Sequence, residues 1–344
     1  MPATARLLSV DPLAPDPGAV ADAAAVLAGG GLVALPTETV YGLGASARDA
    51  AAVRRVFAAK GRPADNPLIC HVADADGLAA LALRVTPLAA ELAATWWPGP
   101  LTLVVDAAPG LPGETTGGLD SVAVRVPAHP VALAVLRASG LAVAAPSANR
   151  SGRPSPTTAA HVVADLGGQV DLVLDAGPSP IGVESTVVDA RGQRPVLLRP
   201  GAVTAEDLGI ILEQTCGSTH EHTAEAVGRS PGTRYRHYAP ATPLLVAPRG
   251  GGAALAAEAA AGGRRVGLVA PGAAPPGVIG LAAPPDAAAL AAVLFAALRR
   301  SDALGLDALV VEAVDDTGIG RAIMDRLRRA AGGRVTERDG RHPA

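Results

Sequence analysis

Of the 29 lysine and arginine residues only Lys60 is lysine, which leaves 28 arginines; asparagine occurs twice, as Asn66 and Asn149, and tyrosine three times, at 41, 235 and 238. The chain is drawn toward Ala, Gly, Pro, Val, Leu and Arg. Arginine replaces lysine almost freely on a solvated face, but not where a compact ammonium must act as a point charge. The six survivors fall in four short polar, turn-rich segments: Tyr41, Lys60 with Asn66, Asn149, and Tyr235 with Tyr238. Chance survival accounts for any one of them; it accounts poorly for all six sitting in such surroundings.

Several polar strings offer chemistry. Pro36-Thr37-Glu38-Thr39-Val40-Tyr41-Gly42-Leu43-Gly44 packs hydroxyls, a carboxylate and a phenol into a glycine-relaxed turn after an apolar strand. It reads as a seat for a small polar ligand, or equally as a Ser/Thr-type turn capping the next helix. In the string Lys60 to His71, Lys60 and Arg62 stand at a helix C-terminus, where the helix dipole alone would favour cations. Gly61 and Pro63 nevertheless fix the backbone between them, and a point-charge Lys beside a forked Arg suits a polyphosphate or a developing pentavalent phosphorus. Arg125 alternates with Val124 and Val126 and so projects from the opposite strand face. Ser121 opens that strand, and Pro146–Ser155, with Ser147, Asn149 and Ser155, follows another strand's carboxyl end, where open α/β sheets bind ligands. Ser185 and Arg199 mark a further hydroxyl-rich strand entry and a strand end. His71 fits a satisfied core histidine or a ligand contact; His220 and His222 make a weak metal pair in a polar stretch, and Trp96-Trp97 reads as a packed corner. The sequence has no GxxxxGK[ST], no GxGxxG after a strand, no HExxH and no CxxC.

These segments need elements to hold them. Periodicity predicts helices over 17–28, from a Ser46 cap to about 59, two Ala/Leu helices up to 95, then 130–139 and 157–166. Strands are expected at 32–35, 67–72, 101–106, 121–126, 141–145, 170–174, 186–189 and 196–198. That is an α/β domain with a mixed sheet over residues 14–203. Periodicity lapses over 204–241, a linker that ends in aromatics and cations rather than Gly/Ser. Over 242–340 three short parallel-type strands (244–246, 266–270, 308–314) alternate with helices at 253–261, 287–300 and 321–331, giving a smaller Rossmann-like C-terminal domain.

Composition narrows the function. With 344 residues, 49% hydrophobic and 18% charged, and a formal net charge of −3, the chain has the means to fold into two cored domains rather than stay disordered. The longest uncharged helix-like apolar run, 287–298, falls short of the ~20 residues a bilayer requires. Prolines at 12, 15 and 17 break the stretch a signal peptide would need. Cys70 and Cys216 make neither a disulfide framework nor a zinc site, so a cytoplasmic protein is expected. The balanced charge argues against stable nucleic-acid binding through a broad basic face.

Taken together and in this order, PTETVYGLG, KGRPADNPL, WPGPLT, RVPAHP, PSANRSGRPSPT, ESTVVD, LRPG and SPGTRYRHYAP resemble the threonylcarbamoyl-AMP synthase family in its longer form. That form has a YrdC-like twisted mixed-sheet domain with a central concave cavity, a linker and an extra C-terminal domain. The resemblance is strong over roughly 14–240 and weaker over 241–340. It implies an enzyme that joins L-threonine, bicarbonate and ATP into threonylcarbamoyl-AMP and diphosphate, the product feeding a downstream transferase that modifies the tRNA adenosine beside the anticodon. It implies threonine contacts from Thr39, His71, the Ala145 backbone and Ser185. ATP contacts are implied for Arg62, Asn66, Ser121, Ser147, Ser155, Arg199 and Tyr235, with Asn149 suited to phosphate or ribose and Arg125 where the two substrates meet. Lys60, Arg62 and Arg125 are the expected catalytic cations, and Mg²⁺ is expected with ATP, with ligands that no spacing identifies. An RNA-binding module of this fold, and a carbamoyl-handling domain for hydrogenase maturation, are the competing readings. The first conflicts with the charge, and the second with a chain of two cysteines.

The segment 230–240 is expected to fold over the pocket and shield a labile adenylate, with Tyr235, Arg234 and Arg236 as its working groups. Deleting 230–238 while both domains stay folded is then expected to abolish adenylate formation, measured as product by chromatography; unimpaired turnover would refute it.

Overall fold

The computed structural model describes residues 5–209 and 237–332. Tyr235, His220, His222, Cys216 and most of the expected linker lie outside them. The chain divides into two compact units, Met1–Ser151 with Ser155–Tyr235, and Gly152–Pro154 with Arg236–Ala344. No described helix is long and apolar enough to cross a membrane.

The first unit carries strands β1 (Arg6–Ser9), β2 (Val33–Leu35), β3 (Gly42–Ser46), β4 (Ile69–His71), β5 (Leu101–Asp106), β6 (Ser121–Arg125), β7 (Val143–Ala144), β8 (Leu172–Asp175), β9 (Thr186–Asp189) and β10 (Val196–Arg199). Its helices are α1 (Pro17–Ala28), α2 (Ala50–Lys60), α3 (Ala75–Leu81), α4 (Pro87–Trp96), α5 (Gly113–Thr116), α6 (Pro130–Ser139) and α7 (Ala159–Leu166). The strands form one mixed sheet in the order β1-β8-β2-β3-β7-β4-β6-β5-β9-β10. Central strands are buried on both faces, as a sheet covered by helices on both sides requires. In β2, Val33 and Leu35 pack with α1 and α6, while Ala34 packs with α2 and α7.

Caps fix where several helices begin and end. Asp49, not the expected Ser46, caps α2 by accepting from Ala51 and Ala52 amides, and Gly61 closes it in the left-handed region at φ 60°. Ser46 instead ends β3, an antiparallel partner of β2. The glycine-relaxed turn expected over 36–44 thus becomes a turn running into a strand, because the glycines let β3 pass close to its neighbours: a Cβ on Gly44 would lie 2.8 Å from Val143 and 3.2 Å from the Val33 carbonyl. Strand β1, which pairs in parallel with β8, extends this sheet upstream of residue 14.

The second unit is a four-stranded parallel sheet in the order β11-β14-β12-β13, made of β11 (Leu244–Ala247), β12 (Val266–Val269), β13 (Ile279–Ala282) and β14 (Ala308–Glu312), with helices α8 (Gly252–Ala260), α9 (Ala287–Ala303) and α10 (Ile319–Ala330). Strand β13 is the one the periodicity does not reveal; its residues are half-buried or exposed, so no apolar run marks it. The glycine turn between β11 and α8 is held from within: Glu312 accepts from the amides of Gly250 and Gly252, each at 2.9 Å. Tyr238 stacks on Phe295 at 5.3 Å between ring centroids, and the fully buried Arg326 lies 5.6 Å over its ring.

Burial sets the acid response of the first unit. His71 is held neutral down to about 3, first by burial and then by the charge of Arg125, and burial also lowers His129. The unfolded chain protonates its imidazoles near 6.5, so between these values it binds more protons than the folded chain, and stability falls as pH drops through that window. Urea midpoints measured from pH 7 to 4 are expected to decline, and His71→Asn to flatten the decline; an unchanged slope in the variant would contradict this origin.

Candidate active site

The sheet's architecture brings the polar strings together by backbone pairing. Leu43 N donates to Pro146 O at 2.7 Å, Ala148 N to Tyr41 O at 2.8 Å, and Tyr41 N to Pro156 O at 2.9 Å, which zips the first string along the third. Ile181 N donates to Glu38 O at 2.9 Å and Gly182 N to Thr39 O at 3.1 Å, adding the fourth. Ser151 N donates to Lys60 O at 2.8 Å, which fastens the second. Four stretches far apart in sequence thus share one neighbourhood of the first unit.

Two adjacent strands aim the central charge. His71 and Arg125 are register partners in the parallel pair β4–β6, so their side chains leave the same face. Cys70 and Val124 leave the other and join the core; burial pushes the Cys70 thiol up to about 12, so it is an inert core residue. Ile69, Val104, Ala123, Val187 and Leu198 form a small apolar cluster, to which β4 and β6 contribute the residues two positions before His71 and Arg125.

Arg125 is buried, and each arm of its guanidinium has an assignment. Nε donates to Gly99 O at 3.0 Å, Nη1 donates to Thr39 Oγ1 at 2.9 Å, and Nη2 lies 2.6 Å from Glu38 Oε1. Thr39 Oγ1 is also 2.9 Å from Thr37 Oγ1, and Thr37 donates to Val40 O at 2.6 Å, so the turn presents its hydroxyls in a fixed array. The neutral imidazole of His71 adds a polar group without a second positive charge.

A second cluster gathers around Ser185. Its carbonyl accepts from Arg199 Nε at 3.1 Å and Nη2 at 3.0 Å, and Nη2 also reaches Ser185 Oγ at 3.1 Å. Thr102 Oγ1 stands 2.8 Å from Ser185 Oγ. Gly201 makes this approach possible: a Cβ there would lie 2.2 Å from Thr186 N and 2.5 Å from the Ser185 carbonyl carbon. Next to Ser185, Glu184 accepts from Ser155 Oγ at 2.5 Å.

The third cluster surrounds the single lysine. Lys60 is buried at the end of α2, and its Nζ donates to Ser147 O at 2.5 Å and Asn149 O at 2.6 Å. Ser147 Oγ donates to Asn149 Oδ1 at 2.6 Å. An ammonium that braces two loop carbonyls is a task a planar guanidinium does not match in shape. Arg62 Nη2 donates to the Asn66 and Pro67 carbonyls, at 3.4 and 3.1 Å.

The sequence-expected residues therefore arrive in linked sets: Thr39 with Arg125 and His71; Ser185 with Arg199; Ser147 and Asn149 with Lys60; Arg62 with Asn66. Ser155 is tied to Glu184, beside Ser185. Ala145 N donates to Ile69 O at 2.9 Å, so a backbone contact there falls to its carbonyl. Ser121 is buried at the start of β6, four residues from Arg125 and so roughly 13 Å along the strand. Tyr235 lies outside the described residues. Tyr41, one of the singled-out survivors, is a core pin: it is fully buried, its hydroxyl donates to Gly177 O at 2.7 Å, and burial raises its pKa. Sequence reasoning left Glu38, Glu184 and Thr102 unassigned. The available signal was a carboxylate inside each hydroxyl-rich string, and a threonine alternating with Leu101 and Leu103 in β5.

Known proteins resemble this chain over most of its length. A family model of Sua5, YciO and YrdC, described as "Telomere recombination", matches residues 25–201, and one described as "Threonylcarbamoyl-AMP synthase, C-terminal domain" matches 203–332. A threonylcarbamoyl-AMP synthase of Pyrococcus abyssi is 44% identical over 91% of this chain and 94% of its own length, and one of Bacillus subtilis is 43% identical over 94% and 96%. The crystal structure of P. abyssi Sua5 complexed with L-threonine superposes with a TM-score of 0.86 at 40% identity, covering 96% of this chain and 98% of that one. YciO of Escherichia coli, 22% identical with a TM-score of 0.54 over 59% of this chain and 99% of its own, shares the fold of the first unit. Its two matched domains, end to end, and its likeness to these relatives over nearly their full length place this chain in the threonylcarbamoyl-AMP synthase family.

Proposed function

We propose that this chain condenses L-threonine, bicarbonate and ATP into threonylcarbamoyl-AMP and diphosphate, by nucleotidyl transfer to N-carboxy-threonine. The observation that carries the reading is the convergence of Arg125, Arg199, Lys60 and their hydroxyl partners from four distant strings onto one region of the first unit. The names of relatives that cover nearly its whole length support the same reading.

The chemistry brings two anions together. Once threonine's nitrogen carries a carboxylate, a carbamate oxygen forms a bond to the α-phosphorus while the bond to the bridging oxygen of the leaving diphosphate breaks. Repulsion between carbamate and phosphates is the main obstacle, and fixed cations answer it because they need no reorganisation during reaction. Thr39, neutral His71, Ser185, the Ala145 backbone and Arg125 make the threonine half. Arg62, Asn66, Ser121, Ser147, Asn149, Ser155 and Arg199 make the nucleotide half, with Tyr235 assigned to it as well. Arg199 grips Ser185 by carbonyl and hydroxyl, so the two halves share a boundary. Lys60 sets the Ser147–Asn149 backbone and acts on the nucleotide through that loop.

Magnesium is expected with ATP. Among the described residues no three His, Cys, Asp or Glu side chains gather into a metal-holding group; the donors here fit an ion borne by the phosphates, with Glu184, bonded to Ser155, as the protein carboxylate at hand. Such an ion would offset charge on the departing diphosphate. A cytoplasmic setting and hand-over of the adenylate to a tRNA-modifying transferase complete the reading.

Diphosphate release from ATP is expected to require threonine and bicarbonate together; release that ignores either one would overturn the assignment. Lys60→Arg is expected to lower kcat by about 100-fold, the scale of a small misplacement of groups that position the substrate. The sequence alone suggests that this change leaves stability intact, but the buried Nζ between two carbonyls points to a lower melting temperature as well. An unchanged kcat would remove Lys60 from the machinery.

A further inference from the structure

Glu38 is a carboxylate in a place where adenylation alone does not call for one. Its side chain is about 10% exposed. Arg125 Nη2 lies 2.6 Å from Oε1, yet neither carboxylate oxygen receives an aligned hydrogen bond. A buried carboxylate held by one ion pair and no aligned hydrogen bond keeps acceptor capacity that a bound ligand's donors can fill. Next to it stands Thr39, whose hydroxyl holds the other arm of the same guanidinium.

The charged and titratable groups around Glu38 and its Arg125 partner come from three elements besides its own turn. Arg125 on β6 is the cation. His129, the N-cap of α6, feels the charge of Glu38 but is kept neutral by burial, its Nδ1 accepting from Val131 N at 3.2 Å. His71 on β4 is neutral and responds to Arg125. A carboxylate and a guanidinium side by side form the complement of an amino-acid zwitterion, with the substrate carboxylate drawn to Arg125 and the ammonium to Glu38.

We infer that Glu38 receives the α-ammonium of threonine and takes from it the proton that must leave before the nitrogen can react. This rests on the threonine-carboxylating reading above. The N–H bond of the ammonium breaks, its proton forms an O–H bond on Glu38, and the freed lone pair forms the N–C bond to bicarbonate carbon. The carbon loses its hydroxyl, which departs as water with a second amine hydrogen, leaving the carbamate. Glu38 returns its proton to solvent before the next turnover. No oxidant or reductant enters.

The test is the pH dependence of kcat/KM for threonine, read by diphosphate release with wild-type chain, E38Q and E38D. Glutamine keeps an oxygen for Arg125 but does not take a proton at working pH. E38Q is expected to lose about 100-fold near neutrality, the lower range for a general base. It should regain rate toward the alkaline side, by up to about tenfold per pH unit until the α-amino group of dissolved threonine is largely deprotonated. E38D is expected to keep the wild-type profile at reduced rate. Equal loss at every pH would reduce Glu38 to a positioning residue for Arg125 and overturn the proposal, and so would no loss at all. ATP affinity and melting temperature identify a misfolded E38Q, in which case a wild-type rate and profile in E38D with its shortened side chain would be the overturning result. Diphosphate release by the wild-type chain that does not depend on threonine would instead sink the functional reading itself.

Discussion

A guanidinium buried in the middle of a sheet must have every arm answered, and Arg125 imposes that demand on the first unit. A charge removed from water is tolerated only when fixed dipoles or a counter-charge replace its hydration. Here the replacements come from the Gly99 carbonyl, the Thr39 hydroxyl and the Glu38 carboxylate, three groups on two chain segments well apart from β6. Meeting the demand draws the 36–44 turn and the Trp97–Pro100 corner to the same strand end. The polar cluster and the fold are thus held by one set of interactions, and a change that frees Arg125 loosens both.

Around that cation the site is assembled chiefly by main chain. The strings lie against one another through amide-to-carbonyl bonds, and side chains that would meet ligands are also those that fasten the loops: Lys60 to Ser147 and Asn149, Arg199 to Ser185, Ser155 to Glu184. Such a site is largely preorganised, because its donors are already aimed by bonds within the protein. Gly201 contributes by what it lacks; the close approach of the 199–201 turn to Ser185 and Thr186 leaves no room for a side chain.

Much of this was legible in the sequence where one physical rule dominates. The proline-started α6 and the strands β5 and β9 lie where they are expected, since short apolar runs bounded by polar residues mark the strands and proline and glycine bound the helix. The α2 C-terminus was equally plain because Lys60-Gly61 ends a helix by glycine's left-handed conformation. Strand β3 was not, because its glycines signal a turn locally and become a strand only through pairing with β2 and β7. Of the site, the cations and hydroxyls could be named from their strings, yet their partners could not. That Glu38 faces Arg125, or that Tyr41 is a pin and not a ligand contact, depends on packing between segments more than eighty residues apart.

The second unit shows what happens when a fold keeps a binding feature's shape and fills it from inside. Its first strand, glycine turn and helix follow the plan of domains that seat phosphate on backbone amides, but here Glu312 sits on the amides of Gly250 and Gly252. An incoming anion would compete against a carboxylate tethered at a local concentration set by the polypeptide itself. The tether thus raises the concentration that any free anion needs to occupy the turn.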